Sequence, residues 1–255
     1  MLREAILVYR AELAVTLRNK PYLVLGMIQP VLYLVLCGPL LAVLVSKTPG
    51  VPAQTSWVDL TPALIIQIAA TNGVYCGFVL LAGIRAGAVD RLRVTPVSRT
   101  ALSLGQALPS VTLSLVQGVI ILLLASLVFG VALSVVGVAL VLVITALTAL
   151  TIACCADAIV LKLRKEDTFT SIVNIVILPL TLLSGILLPI TPDRAPMWLY
   201  VLSRFNPLAY VVDISRASFR ETLPLVPTLL GAAVIITLTG LAVRWNSRTF
   251  QAVAA

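Results

Sequence analysis

Arg85-Ala-Gly-Ala-Val-Asp-Arg-Leu-Arg-Val-Thr-Pro-Val-Ser-Arg99 is a charged island between two long apolar runs. Four of the chain's 18 basic residues (Arg85, Arg91, Arg93 and Arg99) fall inside it, with one acid, Asp90. Upstream, 25 uncharged residues separate it from Asp59; downstream, the 62 residues before Lys162 carry only Asp157. Thr95-Pro96 interrupts a helix, because proline lacks an N–H and biases its predecessor towards extended backbone. Such an island is either an ordinary cytosolic loop or a docking element for a soluble partner.

The same spacing recurs along the chain. Lys20 to Lys47 encloses 26 uncharged residues, Asp167 to Asp193 encloses 25, and Glu221 to Arg244 encloses 22. About 20 apolar residues cross a bilayer core of roughly 30 Å. The four shorter gaps give four helices, and the 62-residue run gives two, turning near Phe129-Gly130. The 255 residues are 60% hydrophobic and 11% charged, where a soluble domain carries about a quarter charged residues. Lipid leaves no partner for backbone polar groups, so only helices or a closed barrel can cross it. Uncharged runs without strict alternation favour helices. The expected fold is an all-α polytopic membrane protein with six transmembrane helices, near residues 22–45, 60–84, 101–129, 133–160, 169–188 and 225–243.

Charge gives the orientation. The amino end, the island, the 161–167 loop and the carboxyl tail together hold 13 basic residues, and the opposite side holds five. The positive-inside bias puts both termini and the island in the cytoplasm. A net charge of +8 distributed in this way points to membrane topology, not to nucleic acid. Cys37, Cys76, Cys154 and Cys155 all lie in apolar runs, and the chain has no histidine, so they read as small buried residues.

Residues 1–20 do not read as a signal peptide, because charges recur through Glu12, Arg18 and Lys20. Leu2, Ile6, Tyr9, Leu13 and Leu17 share a stripe, which suggests a helix lying in the cytosolic interface. Residues 46–59 read as a short outer loop with Trp57 as an interfacial anchor, and Arg244-Trp245 reads as another. In the second crossing Gln67, Thr71 and Tyr75 form one polar stripe beside Asn72; the fifth carries Asn174. These five residues either bond helices together or face a substrate path. Asp157, near Lys162, Arg164 and Lys165, reads as an interfacial acid satisfied by those bases, the alternative being a proton-coupling carboxylate.

Residues 190–222 are unusual for an outer loop. Pro192 and Pro196 break the chain, an aromatic stretch runs from Trp198 to Phe205, and Asn206-Pro207 is a good helix start. Leu208, Val211, Val212, Ser215 and Phe219 then share an apolar face, with Asp213 and Arg216 at pairing distance on the other. Two short amphipathic helices re-entering the outer leaflet account for this pattern.

Gly185 to Pro189, Asn206-Pro207-Leu208-Ala209-Tyr210 and, five residues on, Arg216 together resemble the signature of permease subunits of type 2 ABC (ATP-binding cassette) exporters. The island from Asp90 to Arg99 resembles the cytosolic loop of the daunorubicin-resistance-like branch, with Asp90 where glutamate is more usual. The resemblance covers the whole chain as one transmembrane domain, residues 1–255. It implies that Asp90, Arg91, Leu92, Arg93, Thr95, Pro96 and Arg99 form a cytosolic coupling helix for an ABC ATPase. It implies that Asn206, Pro207, Tyr210, Asp213 and Arg216 form the outer signature. Further, it implies two permease copies and two ATPase subunits in a bacterial cell membrane, exporting a lipophilic drug, antibiotic or lipid-like compound, in the manner of multidrug efflux and antibiotic resistance.

The residues support a separate motor: the chain has no Gly-x-x-x-x-Gly-Lys-Ser/Thr loop for nucleotide phosphates. No cofactor is expected in this chain, ATP and Mg belonging to the partner ATPase. An ion-coupled secondary transporter or channel is the alternative, and it needs acids deep in the helices. A membrane enzyme needs a catalytic constellation, which a chain without histidine or clustered acids does not offer.

Overall fold

The structure, a computed structural model, describes residues 2–40, 43, 55–87, 99–131, 133–186, 190, 195–220 and 225–253. Among them there is no strand and there are nine α-helices: α1 (Leu2–Arg18), α2 (Lys20–Leu32), α3 (Thr55–Arg85), α4 (Arg99–Phe129), α5 (Val135–Leu163), α6 (Glu166–Leu182), α7 (Met197–Arg204), α8 (Pro207–Phe219) and α9 (Leu225–Val253). Four are long and apolar enough to cross a membrane, over Trp57–Arg85, Thr100–Phe129, Val135–Leu163 and Thr228–Ala252. The segment expected as the first crossing forms α2, an apolar helix shorter than those four, which continues through a π-helical turn at Tyr33–Cys37 shortly after Pro30. A missing proline N–H loosens the hydrogen-bond ladder, and π turns form where it is loosened. The segment expected as the fifth forms α6, which at 17 residues is likewise shorter than those four.

α3 and α5 form the centre, and α4, α8 and α9 pack around them. The α4–α5 turn forms where Gly130 takes a left-handed backbone (φ 65°), which a side chain would resist. Ser134 then caps α5 by accepting from Gly137 N at 3.0 Å. α6 lies at the margin. It is pinned at one end by Phe169, buried edge-on against Phe78 at 4.8 Å, and at the other by Asn206 Nδ2 donating to Leu180 O at 2.6 Å. Its outward face, with Ile175, Leu178 and Leu182, is exposed, as befits a surface meeting lipid.

Several expectations need correcting. The 46–59 segment is not loop throughout, since α3 starts at Thr55. Trp57 is packed rather than free at an interface: its ring stacks on Phe129 at 4.0 Å and covers Leu34 and Leu60. α9 runs past Trp245 to Val253, and Lys162 Nζ sits 5.4 Å above that indole. On α1 Ile6 and Leu17 of the leucine stripe are exposed, and the stripe as a whole is not the face that meets α4. Instead Ala5 and Val8 approach Gly105 of α4, where a Cβ would lie 2.7 Å from Val8 Cβ, and Tyr9 Oη meets Thr112 Oγ1 at 2.9 Å.

Candidate functional site

α7 and α8 form two short helices, and Asn206 Oδ1 caps α8 by accepting from Leu208 N at 2.9 Å, with Pro207 in the first turn. Leu208, Val211, Val212 and Ser215 are buried on the face that meets α3, α5 and α9. Tyr210 Oη donates to Arg204 O at 3.0 Å. The expected Asp213–Arg216 pair is replaced by another: Arg204 Nη1 donates to Asp213 Oδ2 at 2.9 Å. Arg216, only 6% exposed, turns inward. Its Nε donates to Asp59 O at 3.1 Å, and its Nη2 donates to Gly185 O at 2.6 Å and Ile186 O at 3.0 Å. One guanidinium therefore ties α8 to the start of α3 and to the turn after α6. Beside it Arg220 Nε donates to Asp59 Oδ1 at 2.7 Å.

The expected path residues separate into two kinds. Asn72, 3% exposed, is spent on α4: its Nδ2 donates to Ser114 Oγ at 3.0 Å and Gln117 Oε1 at 2.8 Å. Thr71 is exposed and its hydroxyl returns to Gln67 O at 3.0 Å, while Gln67 Oε1 is buried without a hydrogen-bond partner. Tyr75 Oη accepts from Asn19 Nδ2 at 2.7 Å. Asn174 is exposed on α6, and no hydrogen bond among the described residues joins it to the α3 stripe.

The residues expected to couple, Asp90, Arg91, Leu92, Arg93, Thr95 and Pro96, lie outside the described residues; Arg99 opens α4. At the root of the island, Arg85 Nη1 pairs with Glu166 Oε2 at the start of α6.

Two features were not anticipated. A cavity of about 260 Å³ lies beneath the middle of α6, lined among others by Val74, Ile152, Phe169, Ile177, Leu208 and Ile235. Its two threonines, Thr148 and Thr151, donate to Ile144 O and Leu147 O on their own helix, so the wall is effectively hydrocarbon. Single-sequence periodicity carries no signal for such a void. The second is Gly73-x-x-x-Gly77 on α3, where α5 comes close: a Cβ at Gly73 would lie 2.8 Å from Ile152 Cβ and 3.0 Å from Ala153 N. That spacing of small residues was legible as a helix-packing motif.

Asp157 departs from its sequence reading. It is 0% exposed, and the three bases do not satisfy it. Lys162 lies over Trp245, Arg164 Nε donates to Leu161 O at 3.4 Å, and Lys165 is exposed. The helix continues beyond Asp157 to Leu163, which carries those side chains past the carboxyl.

Residues 3–219 match the model of the ABC-2 type transporter family. Over 213 residues the chain is 28% identical to a protein of Porphyra purpurea named "Putative transport permease ycf38", a similarity spanning 80% of this chain and 70% of that one.

Proposed function

The chain belongs to the ABC-2 type transporter family, a membrane permease of an ABC transporter whose family implies an ABC ATPase partner, and from that premise we propose that it is an exporter subunit for lipophilic compounds. The observation that carries the cargo class is the cavity under α6: its hydrocarbon wall, with its threonine hydroxyls already bonded, has little to offer a polar solute. Drugs, antibiotics and lipid-like molecules fit that chemistry. In this reading α2 and α6 complete six spans, with both termini in the cytoplasm of a bacterial cell. The contacts agree, since Arg85–Glu166 joins two ends read as cytosolic and Asp59–Arg220 two ends read as external. α7 and α8 re-enter the outer leaflet. A second copy of the chain completes the path, two ATPase subunits carry ATP and Mg, and the island is shared with the daunorubicin-resistance-like branch.

One observation favours the ion-coupled alternative, namely a carboxyl buried within a spanning helix at Asp157. Inverted vesicles holding the permease with its ATPase distinguish the two. ATP-driven uptake of apolar compounds that survives a protonophore is the expected result. Uptake abolished by the protonophore, or limited to polar solutes, would overturn the reading.

The island acts here as a lever. Arg85–Glu166 ties its root to α6, and its ends continue into α3 and α4. A loop that merely sets orientation tolerates exchange of like charge, because orientation follows summed Lys and Arg. A docking helix does not, because arginine makes planar bidentate contacts that lysine cannot. Asp90→Asn and Arg93→Lys are therefore expected to insert normally yet lose substrate-stimulated ATPase activity. Wild-type stimulation in both would move the lever to the 162–167 loop.

A further inference from the structure

Among the described residues Asp157 is the only fully buried carboxyl, and its hydrogen bonds do not close as an anion's would. Oδ1 has no partner, and Oδ2 has only Cys76 Sγ at 3.8 Å. Cys76 carries a single thiol proton, and Gln106 O lies nearer that sulfur, at 3.2 Å. With the thiol donating to Gln106 O, Asp157 Oδ2 and Cys76 Sγ face each other without a proton between them. Sulfur is a weak acceptor, and a neutral carboxyl is a donor. A proton on Oδ2 completes the chain, Oδ2–H to Sγ and Sγ–H to Gln106 O.

The surroundings supply no cation. From α9, Asn246, 0% exposed, faces the carboxyl and is the one neighbour whose amide favours the anion, but neither amide atom reaches hydrogen-bonding geometry with it. α5 itself adds Cys154 and Cys155. From α4 comes Gln106, buried and neutral. The acids of α6, Glu166 and Asp167, are exposed at its start, and Asp213 of α8 is held by Arg204. The remaining charged group is an acid: Glu12 of α1, beside Gln106, acts on Asp157 as a like charge. A bare carboxylate there, without a cation and with a second carboxylate close by, carries an uncompensated desolvation cost.

We propose that Asp157 is a proton-binding site, and that its proton holds α1 seated on the bundle. The route to it is short. A water-sized hollow of about 10 Å³ is lined by Glu12, Asn72, Tyr75, Cys76 and Gln106, and it links the face of α1 to the thiol that receives the Asp157 proton. The step is a simple proton exchange with cytosolic water, in which the Oδ2–H bond forms or breaks and nothing is oxidised. When both acids are ionised their repulsion acts between α1 and α5. Burial also pushes the Glu12 carboxyl up, against a smaller opposing effect of its Gln106 contact. A carboxyl raised by burial stabilises the buried arrangement at low pH and loses that contribution as pH rises through its buried value. Seating of α1 is thus tightest in acid and loosens towards alkaline pH.

The test uses the full chain in lipid. Infrared spectra at neutral pH are expected to show a protonated-carboxyl C=O band that Asp157→Asn abolishes and Cys76→Ala shifts, because the latter removes the acceptor. Identical bands in wild type and Cys76→Ala would overturn the proposal even if Asp157→Asn fails to insert. Hydrogen exchange of α1 amides, expressed as protection over the intrinsic rate at each pH, is expected to fall as pH rises in wild type and to stay flat in Glu12→Gln. A flat wild-type profile, or an unchanged slope in Glu12→Gln, would overturn the coupling to α1.

Discussion

Arg216→Ala is expected to destabilise the protein by about 3 kcal/mol or more, the largest single loss in the α7–α8 segment. The guanidinium is buried, and it satisfies carbonyls of Asp59, Gly185 and Ile186 at once. Hydrogen bonds from charged donors are worth roughly 1.5–3 kcal/mol, and a carbonyl left unmet in a dry environment adds its own cost. Arg216→Lys should recover only part of the loss, because an ammonium lacks the fork that spans two directions. By contrast, Asn206→Ala removes a helix cap worth ~1 kcal/mol. Unfolding midpoints in detergent rank the three variants. An Arg216→Ala protein as stable as Asn206→Ala would show that the three carbonyls find other donors. Transport should fall with stability, since Arg216 fixes the turn after α6 and so one end of the helix that covers the cavity.

The four long apolar helices were legible because a charge in hydrocarbon is costly, so long gaps between charges mark them directly. The capped start of α8 was legible too, since Asn206-Pro207 acts locally. What hydropathy could not show is which side of a helix meets protein. In a soluble protein an apolar stripe marks the core, but here lipid accepts the same residues. Ile6 and Leu17 therefore lie outward on α1, while the inward face carries Ala5, Val8 and the acid Glu12. Asp157 was misread for a related reason: nearness in sequence to three bases says nothing about whether they turn towards it. Arg216 shows the same limit, its i−3 acid being taken by Arg204. Local spacing proposes pairs, and tertiary packing chooses among them.

Packing of α3 on α5 is where a small substitution should do the most damage to the transport cycle. Gly73 and Gly77 let the two central helices approach; a Cβ at Gly77 would lie 2.7 Å from Phe169 Cζ and 3.0 Å from Ala156 Cβ. The crowding at Gly73 is against Ile152 Cβ and the Ala153 backbone, neither of which is the free end of a flexible side chain. Gly73→Ala must therefore move backbone, and Gly73→Val more so, at ~1–3 kcal/mol for overpacking. Gly240, on α9, gives the opposite expectation, because nothing lies within 4 Å of a Cβ there. Gly240→Ala should stabilise by up to ~1 kcal/mol through helix propensity alone. If Gly73→Ala and Gly240→Ala shift the unfolding midpoint in the same direction, the close approach does not exist in the membrane. If the signs are opposite, the approach is real, and its consequence follows from connectivity. α3 carries, in its first turns, Asp59, which holds Arg216 and Arg220, and ends at Arg85, which holds Glu166 at the root of the island. A helix anchored at both ends passes movement to α5 only if the two stay in contact. Gly73→Val is expected to leave ATPase docking intact while abolishing ATP-driven uptake, and measuring both in one vesicle preparation separates a broken lever from a lost partner.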